Sequence, residues 1–488
     1  MATYVGRSEN ERQEMLRTVG VRALEDLLSS VPPAIRGKAR IALEDGLSEF
    51  DMAASMSELA SENASSRGAV CFAGAGVYDH FVPAAVRQLL LRSEFYTCYT
   101  PYQAEVSQGT LQAIFEFQSL MCRLTGMDVC NASMYDAATA LAEAALLAVN
   151  ATEKRRVLVS AGVHPNYRKV LSTYCAAAKI EVEEIPLDGG TTDVTKLAAA
   201  LEEVAPRGAA LEGGAAPKQG APPTHGAALK GGVACFIHQQ PNFYGVVEDT
   251  SRLGEVLSGN PALLVSCVDP LSLSVLEPPG SYGADVVVGE GQALGSAMNF
   301  GGPLVGFFAS RSEYVRRLPG RIVGMTTDNS GRRGFVLTLQ TREQHIRRAK
   351  ATSNICTNEA LVALTATIYL ALVGERGLKE LASQCLAKSH YAAEKLAGLD
   401  GFSLAFEQPF FKEFVLRCPV PAEALVEGVL SKGMLAGVPL SRFSDNEKLL
   451  LVAVTEKRTK KEIDGLCTAV DEVAKGLRLS GGSKSKHG

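Results

Sequence analysis

Residues 262–270 read ALLVSCVDP, an aliphatic run with no polar alternation that ends on Asp269 and Pro270. A strand apolar at successive positions is covered on both faces, as in parallel sheets flanked by helices. Three other runs have the same character: Arg156 to Ser160, Val233 to Ile237 and Ala284 to Val288. Longer amphipathic stretches separate them, which predicts an α/β architecture with a mainly parallel sheet.

Outward from these strands, residues 1–69 predict an N-terminal helical arm, with Leu16, Leu24, Leu27 and Leu28 on one face and Pro32-Pro33 as a break. Residues 70–340 form the expected large α/β domain, and 341–479 a smaller C-terminal α+β domain. There Thr357 or Asn358 is positioned to cap a helix bearing Leu361, Leu364, Ile368 and Leu372. The stretch 206–232 is almost entirely Gly, Ala and Pro, without periodicity, and is expected to be a disordered surface insertion. Residues 480–488 form a Gly/Ser/Lys tail that cannot build a core.

Charge excludes some functions. In 488 residues, 49 Lys and Arg stand against 53 Asp and Glu, a net charge of -4 that recruits neither nucleic acid nor an anionic membrane. The longest apolar stretch, Leu361 to Val373, is too short to span a bilayer. Eleven scattered cysteines without a CxxC pair imply no zinc site or disulfide framework and suit a reducing cytoplasm. Glu9, Glu11 and Glu14 argue against an acid-poor mitochondrial transit peptide, although a mitochondrial location is the alternative for a eukaryotic chain.

Ligands of open α/β sheets bind beyond the carboxyl ends of the strands. Asp269 stands there, and a carboxylate in that place can pair with a protonated pyridine nitrogen; its plain structural alternative is a turn or cap before Pro270. His164 could stack on a flat ring or simply shape the loop before Pro165. Asn131 to Thr139 leads into a helix and can offer backbone N–H groups to an anion, or only cap that helix. Gly74-Ala75-Gly76 lacks the third glycine of a dinucleotide fingerprint and reads as a tight turn.

A pyridoxal phosphate (PLP) enzyme needs a lysine near this sheet edge for its Schiff base. None occurs between Lys230 and Lys350, and Glu290, Gly291 and Gln292 follow the strand Ala284 to Val288 instead. The loop Tyr99-Thr100-Pro101-Tyr102-Gln103 gathers two phenols, a hydroxyl and an amide around a proline. Residues 342–350, from Arg342 to Lys350, form a basic cluster that reads either as a solvated helix face or as a seat for an anion or acidic partner.

Four long strings carry more specific information: YTPYQAEVSQGTLQ from Tyr99, NASMYDAATALAEA from Asn131, QQPNFYG from Gln239 and TREQHIRRAKATSNICT from Thr341. Together they resemble the P-protein of the glycine cleavage system, most closely its N-terminal half, known in two-subunit forms as subunit 1 or alpha of glycine dehydrogenase (decarboxylating). The resemblance covers the chain from about Met1 to Leu479 apart from the insertion. It implies a PLP-dependent transferase fold of type I, with PLP held by a lysine of the partner, subunit 2 (beta), and none bound covalently here. It further implies a complex that decarboxylates glycine, releases CO2 and passes the aminomethyl group to the lipoyl arm of H-protein. On that basis Tyr99, Thr100, Tyr102 and Gln103 are expected to reach the partner's site, and Asp269 and His164 to be vestigial ring-binding residues. The competing readings are a purely structural or regulatory subunit, and an independent PLP enzyme using Lys350.

Overall fold

The computed structural model describes residues 8–38, 45–63, 68–202, 230–298, 302–355 and 357–483. Most of the expected insertion, and the tail beyond Ser483, lie outside the described residues. Lys230 to Gly232, assigned to the insertion, instead begin a strand. Likewise Ser480 to Ser483, assigned to the tail, end the last helix, Lys460–Ser483.

Met1–Ala64 and Ser65–Gly488 form separate compact units. In the first, the helix Glu9–Val19 starts on a Ser8/Glu11 capping box and stops at Gly20, whose φ of 82° suits glycine. Of the apolar face expected for the arm, Leu16 is buried while Leu24, Leu27 and Leu28 are exposed.

The second unit is built on a seven-stranded sheet. Its strands in chain order are β1 (Val129–Cys130), β2 (Lys154–Ser160), β3 (Glu181–Ile185), β4 (Lys230–Gln240), β5 (Leu263–Val268), β6 (Val286–Glu290) and β7 (Gly306–Ser310). Their spatial order is β1-β7-β6-β5-β4-β2-β3. Pairings from β3 across to β6 are parallel, while β7 runs antiparallel to both β6 and β1. Every residue of β5 is buried, as its uninterrupted apolar sequence requires.

The helix α1 (Ala137–Thr152) crosses the sheet, and its many buried alanines let it lie close to the strands. Gly306 of β7 permits a close approach to the start of α1, since a Cβ there would come within 2.3 Å of the Asp136 carbonyl. Asp136 caps α1 by accepting from the Thr139 N–H at 2.7 Å.

A long helix, α2 (Ala360–Ala397), joins the two cores of this unit and bends at Gly374, where φ is 59°. It is long and apolar enough to cross a bilayer by length and composition, but its Val362, Ala363, Ala366 and Tyr369 pack into the main core. Its N-cap is Glu359 rather than Thr357 or Asn358, whose side chains turn toward Arg321. Beyond it lies a four-stranded sheet containing β8 (Glu413–Arg417) and β9 (Leu449–Ala453). Val70–Cys71, read from sequence as the start of the large domain, pairs instead with Met434–Leu435 next to this second core.

Candidate functional site

Asp269 leaves β5 at the carboxyl edge of the sheet. One carboxylate oxygen accepts from the Leu271 N–H at 3.0 Å, the capping role open to it from sequence. Its Oδ2 meets Lys412 Nζ at 2.6 Å. Lys412 comes from the residue before β8, is 2 % exposed, and sets its ammonium 3.6 Å from the centre of the Tyr78 ring. A buried lysine therefore reaches the sheet edge from outside the lysine-free span.

The same ammonium lies 3.1 Å from His80 Nε2. An ammonium only donates, so Nε2 accepts and the proton of His80 sits on Nδ1, facing Glu456 Oε2 at 2.6 Å. Burial, and then Lys412, lower the His80 pKa, in keeping with a neutral ring. Burial works to raise Glu456, but the His80 bond and the Phe81 N–H at 2.6 Å prevail and hold it at about 2. Asp269, Lys412, His80 and Glu456 thus form one buried chain of alternating partners. Cys385 also lies near His80 and Glu456, their ligand atoms within 4.8 Å of one another, but the His80 nitrogens are committed to Lys412 and Glu456.

Glu413, next to Lys412, accepts from the Ala75 N–H at 2.8 Å and the Tyr78 hydroxyl at 2.6 Å. Burial pushes its carboxyl up to about 7. Residues 74–76 are a turn, with Ala75 at φ 61° and Gly76 at φ 96°. The Ala75 carbonyl lies 3.0 Å from His164 Nε2, while His164 Nδ1 accepts from the Asn166 N–H. Tyr167 stacks on the His164 ring at 4.5 Å, and Phe243 meets it edge-on at 4.7 Å. His164 is therefore enclosed, and burial depresses it to about 4.

The start of α1 is engaged as well. Glu290, at the end of β6, accepts from the Ala137 N–H at 3.1 Å, the Val305 N–H at 3.0 Å and the Gln292 N–H at 3.2 Å. Burial outweighs these donors and pushes its carboxyl up to about 8. Gln292 stands where a Schiff-base lysine is expected and exchanges amide bonds with the Tyr78 backbone, at 2.9 and 3.1 Å. The cavity left between Tyr78, Gln239, Asn242, Asp269 and Lys412 is about 20 Å³, room for about one water.

The loop Tyr99 to Gln103 is mostly exposed, in contrast to this buried cluster. Tyr99 is 84 % exposed and Tyr102 54 %, and Gln103 is exposed too. The loop is turned by the Tyr102 N–H bonding the Thr100 carbonyl at 2.9 Å. Among the described residues no hydrogen bond joins it to the Asp269 cluster. The basic segment is not a single solvated face: Arg342 is buried and donates to the Leu318 and Gly320 carbonyls, whereas Arg347, Arg348 and Lys350 are exposed.

Lys412, Glu413, Tyr78, His80 and Glu456 were not singled out in the sequence. Their one local signal is a Lys-Glu pair inside the aromatic run Phe410 to Phe414, where charge needs a buried partner.

The mainly parallel sheet, the edge carboxylate after β5 and the second α+β core define the PLP-dependent fold of type I. A glutamate decarboxylase of Lactobacillus brevis superposes with a TM-score of 0.62 over 91 % of this chain and 96 % of that one, at 13 % identity, a likeness of fold alone. The model of the glycine cleavage system P-protein family matches residues 2–470, and the chain belongs to that family. Relatives named probable glycine dehydrogenase (decarboxylating) subunit 1 include that of Carboxydothermus hydrogenoformans, 48 % identical over 464 residues, 95 % of this chain and 98 % of the relative. That of Moorella thermoacetica is 49 % identical over 469 residues, 96 % of this chain and 99 % of the relative. A crystal structure of glycine decarboxylase (P-protein) in inhibitor-bound form shares 42 % identity and a TM-score of 0.81, covering 97 % of this chain and 100 % of that one.

Proposed function

We propose that this chain is the half of a two-subunit glycine decarboxylase that does not carry PLP. The complex would decarboxylate glycine, release CO2 and pass the aminomethyl group to the lipoyl arm of H-protein, with PLP on a lysine of subunit 2. One observation carries the reading: the groups that would receive the cofactor are engaged by the chain itself. Lys412 holds Asp269, the partner a pyridinium would need. Glu290 takes the Ala137 N–H at the start of α1, where a phosphate would gain from the helix terminus. Gln292 replaces the lysine and is tied to Tyr78. These residues do not fit PLP, and no step of the reaction is routed through this edge of the chain.

What the chain contributes is then a folded counterpart and the exposed loop Tyr99 to Gln103, which supplies hydroxyl and amide groups to the partner's pocket. Lys350, the alternative anchor, is exposed in a short turn rather than at the end of a sheet strand. The test is glycine-dependent exchange of labelled CO2 in the presence of H-protein, with each subunit alone and with both together. Exchange by the pair and not by this chain alone is expected; full exchange by this chain alone would sink the proposal.

A further inference from the structure

Arg321 lies just before the strand Ile322–Thr327 and is 4 % exposed, so its guanidinium is removed from water. A buried cation normally has a carboxylate beside it, because desolvation costs several kcal/mol and needs a nearby opposite charge to offset it. Among the described residues no carboxylate lies within 4 Å of Arg321. Its contacts are neutral and long: the Thr357 hydroxyl at 3.4 Å, the Asn358 amide oxygen at 3.3 Å and the Tyr102 hydroxyl at 3.4 Å. Among the described residues its Nε has no hydrogen-bond partner.

The surroundings give this cation one outward route. Its guanidinium carbon stands 5.5 Å from the centre of the Tyr102 ring, and one terminal nitrogen points at the Tyr102 oxygen. His345 meets the same ring edge-on at 6.2 Å and helps fix its tilt. Asn358 is held in turn by donating to Ser133 Oγ at 2.9 Å. Because Arg321 donates into the phenol oxygen, the Tyr102 proton is left free to point away from the protein. Tyr102 is more than half exposed, so the donor faces whatever covers the loop.

We infer that Tyr102 and Arg321 form a single oxyanion-binding unit, in which the phenol donates to a carboxylate or phosphate oxygen presented by the partner subunit's site and Arg321 supplies the balancing charge from beneath. This rests on the assembly proposed above. Two sources offer that chemistry there, the carboxylate of glycine and the phosphate of the cofactor. A hydrogen bond to a charged group contributes about 1.5–3 kcal/mol, a change in affinity on the order of 10- to 100-fold. Arg321 is a positioning residue in this scheme, and Tyr102 makes the contact.

The test uses the reconstituted complex with Arg321→Met, Arg321→Lys and Tyr102→Phe chains. It measures subunit association, the glycine KM and the rate of PLP loss on dialysis. Arg321→Met is expected to raise the glycine KM tenfold or more if the anion is the substrate carboxylate, or to speed PLP loss to that extent if it is the phosphate, with association intact. Arg321→Lys should recover part of the effect, and Tyr102→Phe added to Arg321→Met should cost little more. If Arg321→Met does not fold, Arg321→Lys and Tyr102→Phe decide the question through the same constants. Unchanged KM and unchanged PLP retention would overturn the inference, as would a loss of association alone. Inactivity of the wild-type pair would count against the proposed function instead, and a working wild-type pair indifferent to Arg321 against this unit only.

Discussion

Replacing Lys412 by Met keeps most of the side-chain volume and removes the charge, so the loss reads the ion pair rather than a cavity. It would leave Asp269 without its 2.6 Å partner and His80 Nε2 without its donor. Breaking a buried pair from one side costs about 3–5 kcal/mol. The Asp269 side chain keeps 14 % exposure, which puts the expected cost toward the lower end of that range. With a urea slope of about 3 kcal/mol/M, the unfolding midpoint of the second unit should fall by about 1 M. Asp269→Asn added to Lys412→Met removes the stranded charge, and replacing both partners of a buried pair is often close to neutral, so the double variant should be more stable than Lys412→Met alone. A Lys412→Met cost below about 1 kcal/mol, or costs that simply add in the double variant, would refute the view that these two groups neutralise one another.

Further outcomes follow from the same contacts. Glu413 and Glu290 have folded pKa values of about 7 and 8, above their ordinary 4.5, so the stability they contribute is complete below pH 4.5 and is lost as pH rises through 7 and 8. Urea midpoints of the isolated chain should therefore fall between about pH 5 and 8. Glu413→Gln can keep both bonds, with the Tyr78 hydroxyl reversed, and should flatten that fall; an unaltered pH profile would count against the assignment. Gln292→Lys should lose the Tyr78 clamp and still gain no PLP absorbance, because Lys412 and Glu290 remain in place; a stoichiometric Schiff-base band would show that those groups do not block the cofactor. Tyr102→Phe in the complex should reduce glycine decarboxylation by about tenfold or more with assembly intact, checked by turnover beside gel filtration.

The large sheet was legible because its strands are buried on both faces and so carry uninterrupted apolar runs. ALLVSCV became β5 within one residue of its expected start, and Asp269 was placed at the sheet edge. The missing lysine after β6 was equally plain, since an absence needs no partner to be read. Lys412 was not, because its meaning depends on Asp269, Tyr78 and His80, which lie far from it in sequence and meet only when the two cores pack. The same limit applied to Thr357 and Asn358: as local residues they resemble helix caps, but Arg321 draws their side chains away. Val70–Cys71 was misplaced for a related reason, since a two-residue strand takes its identity from its partner, Met434–Leu435.

The central claim is that this chain completes a glycine decarboxylase without holding its cofactor. The most direct measurement is the PLP content of each subunit after borohydride treatment of the co-expressed complex and separation of the chains under denaturing conditions. PLP fixed to subunit 2 alone is the predicted result; PLP fixed to a lysine of this chain would contradict the account.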